Sequence, residues 1–472
     1  MIYLVLLLSF LLRLPLLSGS FWMDEAAQAL ESARPLGQQL QIAQDFQPPL
    51  LHLITHFALY FGQSEWWLRL IGALIPALVT IFFAYKIAKK LFGRSVALMS
   101  SLLLATSSLH IFYSQELRPY SLPAMFAMLA TWQLLQLLEQ KSRAKWPFII
   151  FSILGLYSSY LYPFMLAAHL SFLWIKKYSL RQLLGLIWPI TVAFGVWLPA
   201  FFEQLQVGQT LRLNMPGWDE VVSLTPLRTT LLLPVKFLFG VLDVEISPFY
   251  LVSSLLLALI GGYLLYRLSR QSATRQALLI FCLLLVWPIF LAWIVSLFIP
   301  VLQAKRVLML LPFFYMLLSY LIVQGTKLHK KLAMIMTAVL LSIQIYGITS
   351  YWTQPALQRE NWRSLMNELA EKFPEQTIAV FSFDDAFAPW RWYQSEQITY
   401  VATGSFYVNN LPDPQQTLSK TADFQQVLLF DYLRDLTDPD NVLPSTLNTL
   451  GFVEIGAIDY HNIGFVRIYQ RP

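Results

Sequence analysis

The sequence has little charge and almost no cysteine. Charged residues make up 13% of its 472 positions, and 57% are hydrophobic, whereas a soluble domain typically carries about 25% charged residues. This composition excludes an ordinary soluble protein and indicates an integral membrane protein. The single cysteine, Cys282, lies in an apolar run, so the chain can form no intramolecular disulfide and offers no cysteine metal site.

The charge that is present is unevenly distributed. Residues 1–351 hold 25 Lys and Arg against 12 Asp and Glu, whereas residues 352–472 hold 8 against 15. The net charge of +6 therefore divides into +13 and −7. This pattern is typical of membrane topology combined with an acidic soluble domain, and it argues against a nucleic-acid partner.

Apolar runs long enough to cross a bilayer as helices recur along residues 1–350. We read the N-terminal run as a retained span, because no small-residue cleavage site follows it. The predicted single spans lie near 1–17, 66–86, 95–113, 120–138, 183–201, 249–267, 276–299, 307–325 and 332–350.

Basic loops set the predicted orientation, because Lys and Arg remain on the cytoplasmic side. Residues 147–175 have basic loops at both ends and must therefore cross twice, turning near "YSSYLYP". The count is then about 11 spans, with a cytoplasmic N-terminus and an extracytoplasmic C-terminal tail. The basic loops are 85–94, 139–146, 175–181, 266–275 and 325–331.

The predicted outer segments are 18–65, 114–119, 202–248 and 300–306. The first is long for a simple connection, and long loops are usually functional. It contains two amphipathic patterns separated by "QPPLL", which indicate interfacial helices. Within 202–248, the run "LLLPVKFLFGVL" is apolar but short and also reads as interfacial.

The tail, residues 351–472, is predicted to be a small α/β domain. Residues 361–373 have the three- and four-residue spacing of a helix, and "TIAVFSF", "QVLLFDY" and "GFVRIYQ" are typical of strands. We therefore expect two domains, a transmembrane domain over 1–350 and an extracytoplasmic domain over 351–472.

The outer loops carry acids and cations that suit group transfer. A carboxylate can deprotonate an acceptor hydroxyl, and cations can stabilise a departing phosphate. Lys305 and Arg306 lie in a predicted outer segment, just before the span at 307–325, although basic residues usually lie on the cytoplasmic side. This exception marks the pair as a functional candidate. The acids are Asp24, Glu25, Asp45 and Glu116, and the cations are Arg118, Lys305 and Arg306.

Each acid also has a purely structural interpretation. Asp24 is a favoured helix N-cap, and Glu25 suits the first turn of a helix. Asp45 precedes two prolines and could be a turn residue. Glu116 could form a local ion pair with Arg118.

The cations, tyrosines and histidines have alternatives too. Lys305 and Arg306 could reach lipid head groups, and Tyr120 could belong to an interfacial aromatic belt. His52 and His56 have the i, i+4 spacing of metal ligands, but a zinc protease would need Glu at position 53, which is Leu.

Four motifs together resemble a known family: "FWMDEA" after the first span, "DFQPPL" before the second interfacial helix, "HIFYSQELRPYSL" at the end of the third span, and the "KR" pair before a late span. They are similar to the ArnT-like and protein-mannosyltransferase-like enzymes, which are GT-C glycosyltransferases of glycosyltransferase family 39 and its relatives. The resemblance covers residues 1 to about 350 in order and spacing.

The resemblance implies a GT-C fold and an inverting transfer of a sugar from a polyprenyl-phosphate donor outside the cytoplasm. It assigns the base to Asp24, with Glu25, Asp45 and Glu116 as further catalytic candidates. Donor-phosphate binding falls to Arg118, Lys305 and Arg306, with Tyr120 beside them. The acceptor stays open among a glycolipid, a polysaccharide precursor and a protein, and the expected location is the plasma (inner) membrane.

Two points remain open within that resemblance. Some relatives use a divalent cation near the first-loop acids, but Gln47 stands where His or Lys is usual before the proline pair. The competing function is a membrane transporter or lipid flippase, which would predict internal repeats and acids near the midplane. A non-enzymatic scaffold is the third reading, and it leaves the outer acids and the cation pair unexplained.

Overall fold

A computed structural model of the chain describes residues 1–42, 45–139, 142–214, 225–242, 247–373, 376–393 and 398–472. Two parts of the predicted outer segment 202–248, residues 215–224 and 243–246, lie outside the described residues. The chain forms two compact units, which we call the helical unit and the sheet unit. The helical unit contains Met1–Ser18, Leu36–Phe202 and Leu224–Leu357, and the sheet unit contains Gly19–Pro35, Glu203–Ser223 and Gln358–Pro472.

Helices account for most of the described residues before residue 354, and two of the longer helices contain a π-helical turn, at Leu70–Leu74 and Cys282–Val286. The α-helices are Ile2–Leu11, Met23–Ser32, Leu50–Leu59, Glu65–Arg69, Ile75–Phe92, Arg94–Thr106, Ser108–Tyr113, Ser121–Leu138, Lys145–Leu156, Tyr162–Ile175, Leu180–Gly195, Leu198–Asn214, Pro226–Phe239, Pro248–Ser269, Ser272–Phe281, Trp287–Ser296, Leu311–Leu328 and Lys330–Thr353.

Six helical segments in the described part of the chain are long and apolar enough to cross a membrane, or seven if one bent pair forms a single span. The predicted multi-pass helical membrane protein is therefore confirmed in outline, and the count of about 11 spans stays a prediction. The six are Glu65–Phe92, Ser121–Leu138, Pro248–Ser269, Thr274–Ser296, Leu308–Leu328 and Lys330–Thr353.

The bent pair joins Leu180–Gly195 to Leu198–Thr210 at an angle of 60°. The sequence predicts one continuous span near 183–201, so this break is a departure from the prediction. Proline has no N–H and its ring clashes with the carbonyl four residues earlier. Pro199 therefore disfavours a continuous helix through Gly195, which is where the first helix ends.

The predicted double crossing of residues 147–175 consists of two helices, Lys145–Leu156 and Tyr162–Ile175. Gly155 allows the close approach at their turn, because a Cβ atom there would lie 2.2 Å from Cζ of Tyr162. The Tyr162 hydroxyl donates to the Phe126 carbonyl at 3.2 Å, which ties the turn to a neighbouring helix.

The sheet unit is built on five strands in the order β2-β1-β3-β5-β4, parallel between β1 and both β2 and β3 and antiparallel elsewhere. One face packs on aromatic residues that include Trp362, Phe387 and Trp390, and the other on aliphatic residues that include Leu443 and Leu447. The strands are β1 Thr377–Phe381, β2 Thr399–Ala402, β3 Gln426–Phe430, β4 Val453–Tyr460 and β5 Gly464–Gln470.

The predicted tail helix is Trp362–Lys372, and Asn361 caps it by accepting from the Ser364 N–H at 3.4 Å. The three predicted strands are β1, β3 and β5. The sequence did not predict β2 and β4. β2 has only four residues, and β4 is largely exposed and does not alternate between buried and exposed residues. The described part of the tail also contains four short α-helices, Ala388–Tyr393, Pro414–Thr417, Arg434–Thr437 and Val442–Thr449.

Candidate active site

Asp45 lies in the loop before helix Leu50–Leu59 and is the centre of a polar cluster in the helical unit. Its Oδ2 atom is 2.8 Å from Nε2 of His52 and also accepts a hydrogen bond from the Gln47 side chain. Its Oδ1 atom is 3.5 Å from Nη2 of Arg118. The proline pair ends the loop, and the helix that follows supplies His52.

Burial and the neighbouring side chains have opposite effects on the pKa of Asp45. Burial raises the pKa of Asp45, but the Arg118 guanidinium and the hydrogen bonds from His52 and Gln47 lower it by more, so the net pKa is below its usual value. Asp45 is therefore ionised at neutral pH. A carboxylate with a lowered pKa is a weak proton acceptor and a good partner for a cation.

The predicted cations gather around Tyr120. The Lys305 ammonium lies 5.9 Å from the centre of the Tyr120 ring, and Arg306 donates to the Pro300 carbonyl at 3.1 Å. Burial and the nearby Arg118 lower the pKa of Arg306, and Tyr120 partly offsets them. Positive groups held this close repel one another, so a bound anion would stabilise the arrangement.

Hydrogen bonds from the Gln115 side chain hold the turn that carries Arg118 in place. The Gln115 side-chain amide donates to the Arg13 carbonyl at 2.7 Å and to the Pro15 carbonyl. Glu116, the fourth predicted acid, is buried with 2% of its surface exposed. Gln115 was not a candidate in the sequence, because an amide in a short loop carries no recognisable signal.

The turn between helices Lys145–Leu156 and Tyr162–Ile175 also contributes to this region. The Leu50 N–H donates to the Tyr157 carbonyl at 3.0 Å, which joins the turn to the start of the His52 helix. The Tyr160 hydroxyl accepts from Nε1 of Trp197 at 2.8 Å. Burial and the charge of Asp45 raise the pKa of Tyr160 and the Trp197 hydrogen bond lowers it, with a net pKa of about 12.

The two histidines of the i, i+4 pair point to different partners. His52 contacts Asp45, whereas His56 is 3.4 Å from both the Gln39 amide and the Tyr60 hydroxyl. Asp45 and His52 are thus two residues of metal-ligand type in contact within this unit. Arg118 pairs with the same Asp45 carboxylate.

Asp24 and Glu25 lie in the sheet unit, in the first turn of helix Met23–Ser32. Glu25 is fully buried, and its Oε2 atom is 3.9 Å from Nε of Arg359. Asp24 is half-buried on the same helical turn. The two adjacent acids therefore differ in exposure, and a substrate hydroxyl could reach Asp24 more readily than Glu25.

A third acid, Glu360, lies beside this turn and was not singled out in the sequence. Its Oε2 atom accepts from the Met23 N–H at 3.2 Å and from Nε1 of Trp362 at 2.5 Å. Its Oε1 atom accepts from the Tyr432 hydroxyl at 2.8 Å. Burial and the charge of Asp24 raise the pKa of Glu360 and the three hydrogen bonds lower it, with a net pKa of about 7.

The predicted site residues thus fall into two groups. The helical unit holds Asp45, Glu116, Arg118, Tyr120, Lys305 and Arg306, and the sheet unit holds Asp24 and Glu25.

Comparison with known proteins supports the resemblance seen in the motifs. Residues 47–202 match the family described as dolichyl-phosphate-mannose-protein mannosyltransferase. This match includes the His52 helix and the Arg118 turn. None of the curated protein sequences compared with the chain matches it significantly.

Solved structures share the fold over nearly the whole chain. ArnT from Cupriavidus metallidurans bound to undecaprenyl phosphate is 12% identical with a TM-score of 0.56, and the match covers 99% of this chain and 97% of that one. The same enzyme in the apo state has a TM-score of 0.54 at 12% identity and the same coverage. An oligosaccharyltransferase from Archaeoglobus fulgidus, in complex with Zn and sulfate, is 13% identical with a TM-score of 0.50, covering 99% and 72%.

The predicted resemblance to ArnT-like GT-C proteins is therefore confirmed at the level of the fold. At 12–13% identity these structures establish architecture, and the activity has to be argued from the residues.

Proposed function

We propose that the protein is an inverting glycosyltransferase that moves one sugar from a polyprenyl-phosphate donor to a hydroxyl of an acceptor at the outer membrane face. The observation that carries the proposal is the group of cations around Tyr120, with Arg118 paired to the largely buried carboxylate of Asp45. Cations placed in this way suit a phosphate leaving group at a membrane surface. The match to a mannosyltransferase family over residues 47–202 and the ArnT-like fold support it.

The reaction needs a base and a phosphate site. The base takes the proton from the acceptor hydroxyl, whose oxygen forms a bond to the anomeric carbon of the donor sugar. The bond from that carbon to the phosphate oxygen breaks, and the polyprenyl phosphate leaves with the electron pair. Attack from the face opposite the leaving group inverts the anomeric configuration.

Asp24 is our candidate base, because it is the half-exposed acid of the first-loop pair. Asp45 suits a different task, since its lowered pKa makes it a poor proton acceptor. We assign Asp45 to holding Arg118 and His52 in place. Arg118, Lys305 and Arg306 are proposed to bind the donor phosphate with Tyr120 beside them, while Glu25 and Glu116 are buried supporting acids.

The proposed location is the plasma (inner) membrane, with about 11 spans, a cytoplasmic N-terminus and an extracytoplasmic C-terminal domain. The distribution of basic loops supports this orientation. It places the first-loop acids on the outer side, where an acceptor glycolipid, polysaccharide precursor or protein would be available.

The experiment that tests the proposal is sugar transfer by the purified full chain in lipid nanodiscs. Polyprenyl-phosphate sugars are supplied as donors, and both product and anomeric configuration are measured. Asp24→Asn is expected to lower kcat by about 10²–10⁴-fold, the usual contribution of a general base. Asp459→Asn is the matched control, because Asp459 is exposed on strand β4 and should behave as wild type.

Full transfer by a correctly inserted Asp24→Asn variant would refute the assignment of the base. Transport of a lipid-linked substrate by wild type without any sugar transfer would favour the flippase alternative. Retention of the anomeric configuration in the product would refute the inverting mechanism.

A further inference from the structure

Hydrogen bonds hold the segment 19–35, from the first predicted outer loop, to residues of the C-terminal domain. The Phe21 N–H donates to the Tyr393 hydroxyl at 2.7 Å, and the Ser20 hydroxyl accepts from the Arg363 N–H at 3.1 Å. The Met23 N–H donates to Glu360 at 3.2 Å. Three polar contacts within four residues define the path of the chain up to Asp24.

Apolar contacts reinforce these hydrogen bonds. Phe21 is fully buried, with its ring centre 5.7 Å from that of Trp392. Met23 packs against the aromatic cluster on one face of the sheet, which includes Trp362 and Trp390. The start of the helix is therefore anchored by apolar packing as well as by hydrogen bonds.

Glu360 meets a specific need of this helix. The first N–H groups of a helix have no partner inside it, and a negative charge near them is favourable. Trp22, which occupies the cap position, provides no side-chain hydrogen bond. Glu360, 337 positions away from Met23, supplies the missing acceptor and so acts as a cap from another part of the chain.

We infer that Glu360 is a positioning residue for transfer, because it caps helix Met23–Ser32 and thereby fixes Asp24. The C-terminal domain would then be part of the catalytic apparatus, which is more than the accessory or acceptor-side module expected from its position in the sequence. This inference rests on the proposed function, in which Asp24 is the base.

Glu360 itself is held firmly enough for this task. Tyr432 and Trp362 each donate to one of its oxygens, so the carboxylate cannot rotate away without losing two hydrogen bonds. Asp24 and Tyr432 are the titratable groups that influence its charge, and its pKa of about 7 places its titration in the physiological range. Activity that depends on Glu360 should therefore change with pH near neutrality.

The test compares Glu360→Ala, Glu360→Gln and Tyr393→Phe in the full chain, with Glu371→Ala as an exposed control on the neighbouring helix. Amide hydrogen exchange of residues 21–24, transfer kinetics and the pH profile are measured together. Glu360→Ala is expected to speed exchange and to lower kcat by about tenfold to 100-fold with donor KM unchanged, because small misplacements of catalytic groups are costly.

Glu360→Gln keeps an oxygen acceptor, so it should restore most of the kcat while removing the pH dependence near neutrality. Tyr393→Phe removes the acceptor of the Phe21 N–H and should reproduce a smaller version of the Glu360→Ala defect. It also covers the case in which Glu360→Ala does not fold, because it leaves Glu360 and its partners intact.

Faster exchange with unchanged kcat in both Glu360→Ala and Tyr393→Phe would overturn the inference and leave the proposed function standing. Full activity of Asp24→Asn would instead refute the proposed base, and Glu360 would then have no catalytic group to position. A wild-type chain that transfers no sugar would refute the proposed function itself.

Discussion

Two largely buried carboxyl groups, Asp45 in the helical unit and Glu360 in the sheet unit, have pKa shifts of opposite sign. Asp45 has a lowered pKa and Glu360 a raised one, although burial acts in the same direction on both. The difference lies in the partners. Asp45 faces the Arg118 guanidinium, whereas Glu360 has three uncharged donors and the negative charge of Asp24.

Neutral hydrogen bonds alone do not offset the burial of the Glu360 carboxylate, whereas a cation together with hydrogen bonds offsets that of Asp45. The two acids therefore suit two different tasks. An acid that stays ionised can hold a cation for phosphate binding, and an acid that titrates near pH 7 can respond to its surroundings.

Removing the cation from the Asp45 cluster is expected to have the largest effect. Arg118→Ala leaves Asp45 buried without its charged partner, and breaking such a pair costs about 3–5 kcal/mol. We expect a lower melting temperature, a raised Asp45 pKa and loss of transfer. Thermal unfolding and transfer assays on the reconstituted chain measure these changes.

Arg118→Lys keeps the charge and should lose less than Arg118→Ala, while Arg143→Ala is the control because Arg143 is exposed. Combining Arg118→Ala with Asp45→Asn should recover part of the stability, since contacting partners couple by about 0.5–3 kcal/mol. Strictly additive effects would contradict the pairing.

The cations beside Tyr120 should act on binding of the donor. Lys305→Ala and Arg306→Ala each remove a charge from the proposed phosphate site, and a hydrogen bond to a charged group contributes about 1.5–3 kcal/mol. Donor KM should rise about tenfold to 100-fold, more steeply at low salt, with the melting temperature nearly unchanged. Lys327→Ala, in the last turn of its helix, is the control. A fall in kcat at constant donor KM would move these residues out of the phosphate site.

The smallest effect concerns the stability of the sheet unit against pH. The folded pKa of Glu360, about 7, lies above its ordinary value of 4.5, so the folded state binds the proton more tightly. Stability from this group is complete below pH 4.5 and is lost as the pH rises towards 7. Glu360→Gln should remove this loss and raise unfolding stability above pH 7 by ~1–3 kcal/mol.

Unfolding of wild type and Glu360→Gln, measured from pH 5 to 8 and compared with Glu371→Gln, checks this sign. Parallel stability curves for wild type and Glu360→Gln would show that the carboxyl group does not titrate in the folded unit.

Much of the helical fold follows from local sequence pattern. Long apolar runs predicted the helices, because a span must bury about 20 apolar residues in lipid regardless of its neighbours. The spacing in 361–373 predicted helix Trp362–Lys372 for a similar local reason. Pro199, inside a predicted span, is the local signal of the break between Gly195 and Leu198.

The side-chain types and the predicted side of the membrane indicated the candidate residues. They did not indicate which residues these candidates contact. Asp45 and Arg118 were both predicted, yet their pairing depends on how distant loops meet. Tyr160 was missed because aromatic residues in a turn are common in membrane proteins. Glu360 was missed because it is one acid among many in an acidic tail.

Hydropathy and charge act locally, so the sequence predicts a multi-pass helical membrane protein with acids and cations in particular loops. Which acid contacts a cation depends on the tertiary structure. Pairings such as Asp45 with Arg118, and Met23 with Glu360, join segments far apart in the chain. Their electrostatics depend on distances that a linear pattern does not contain.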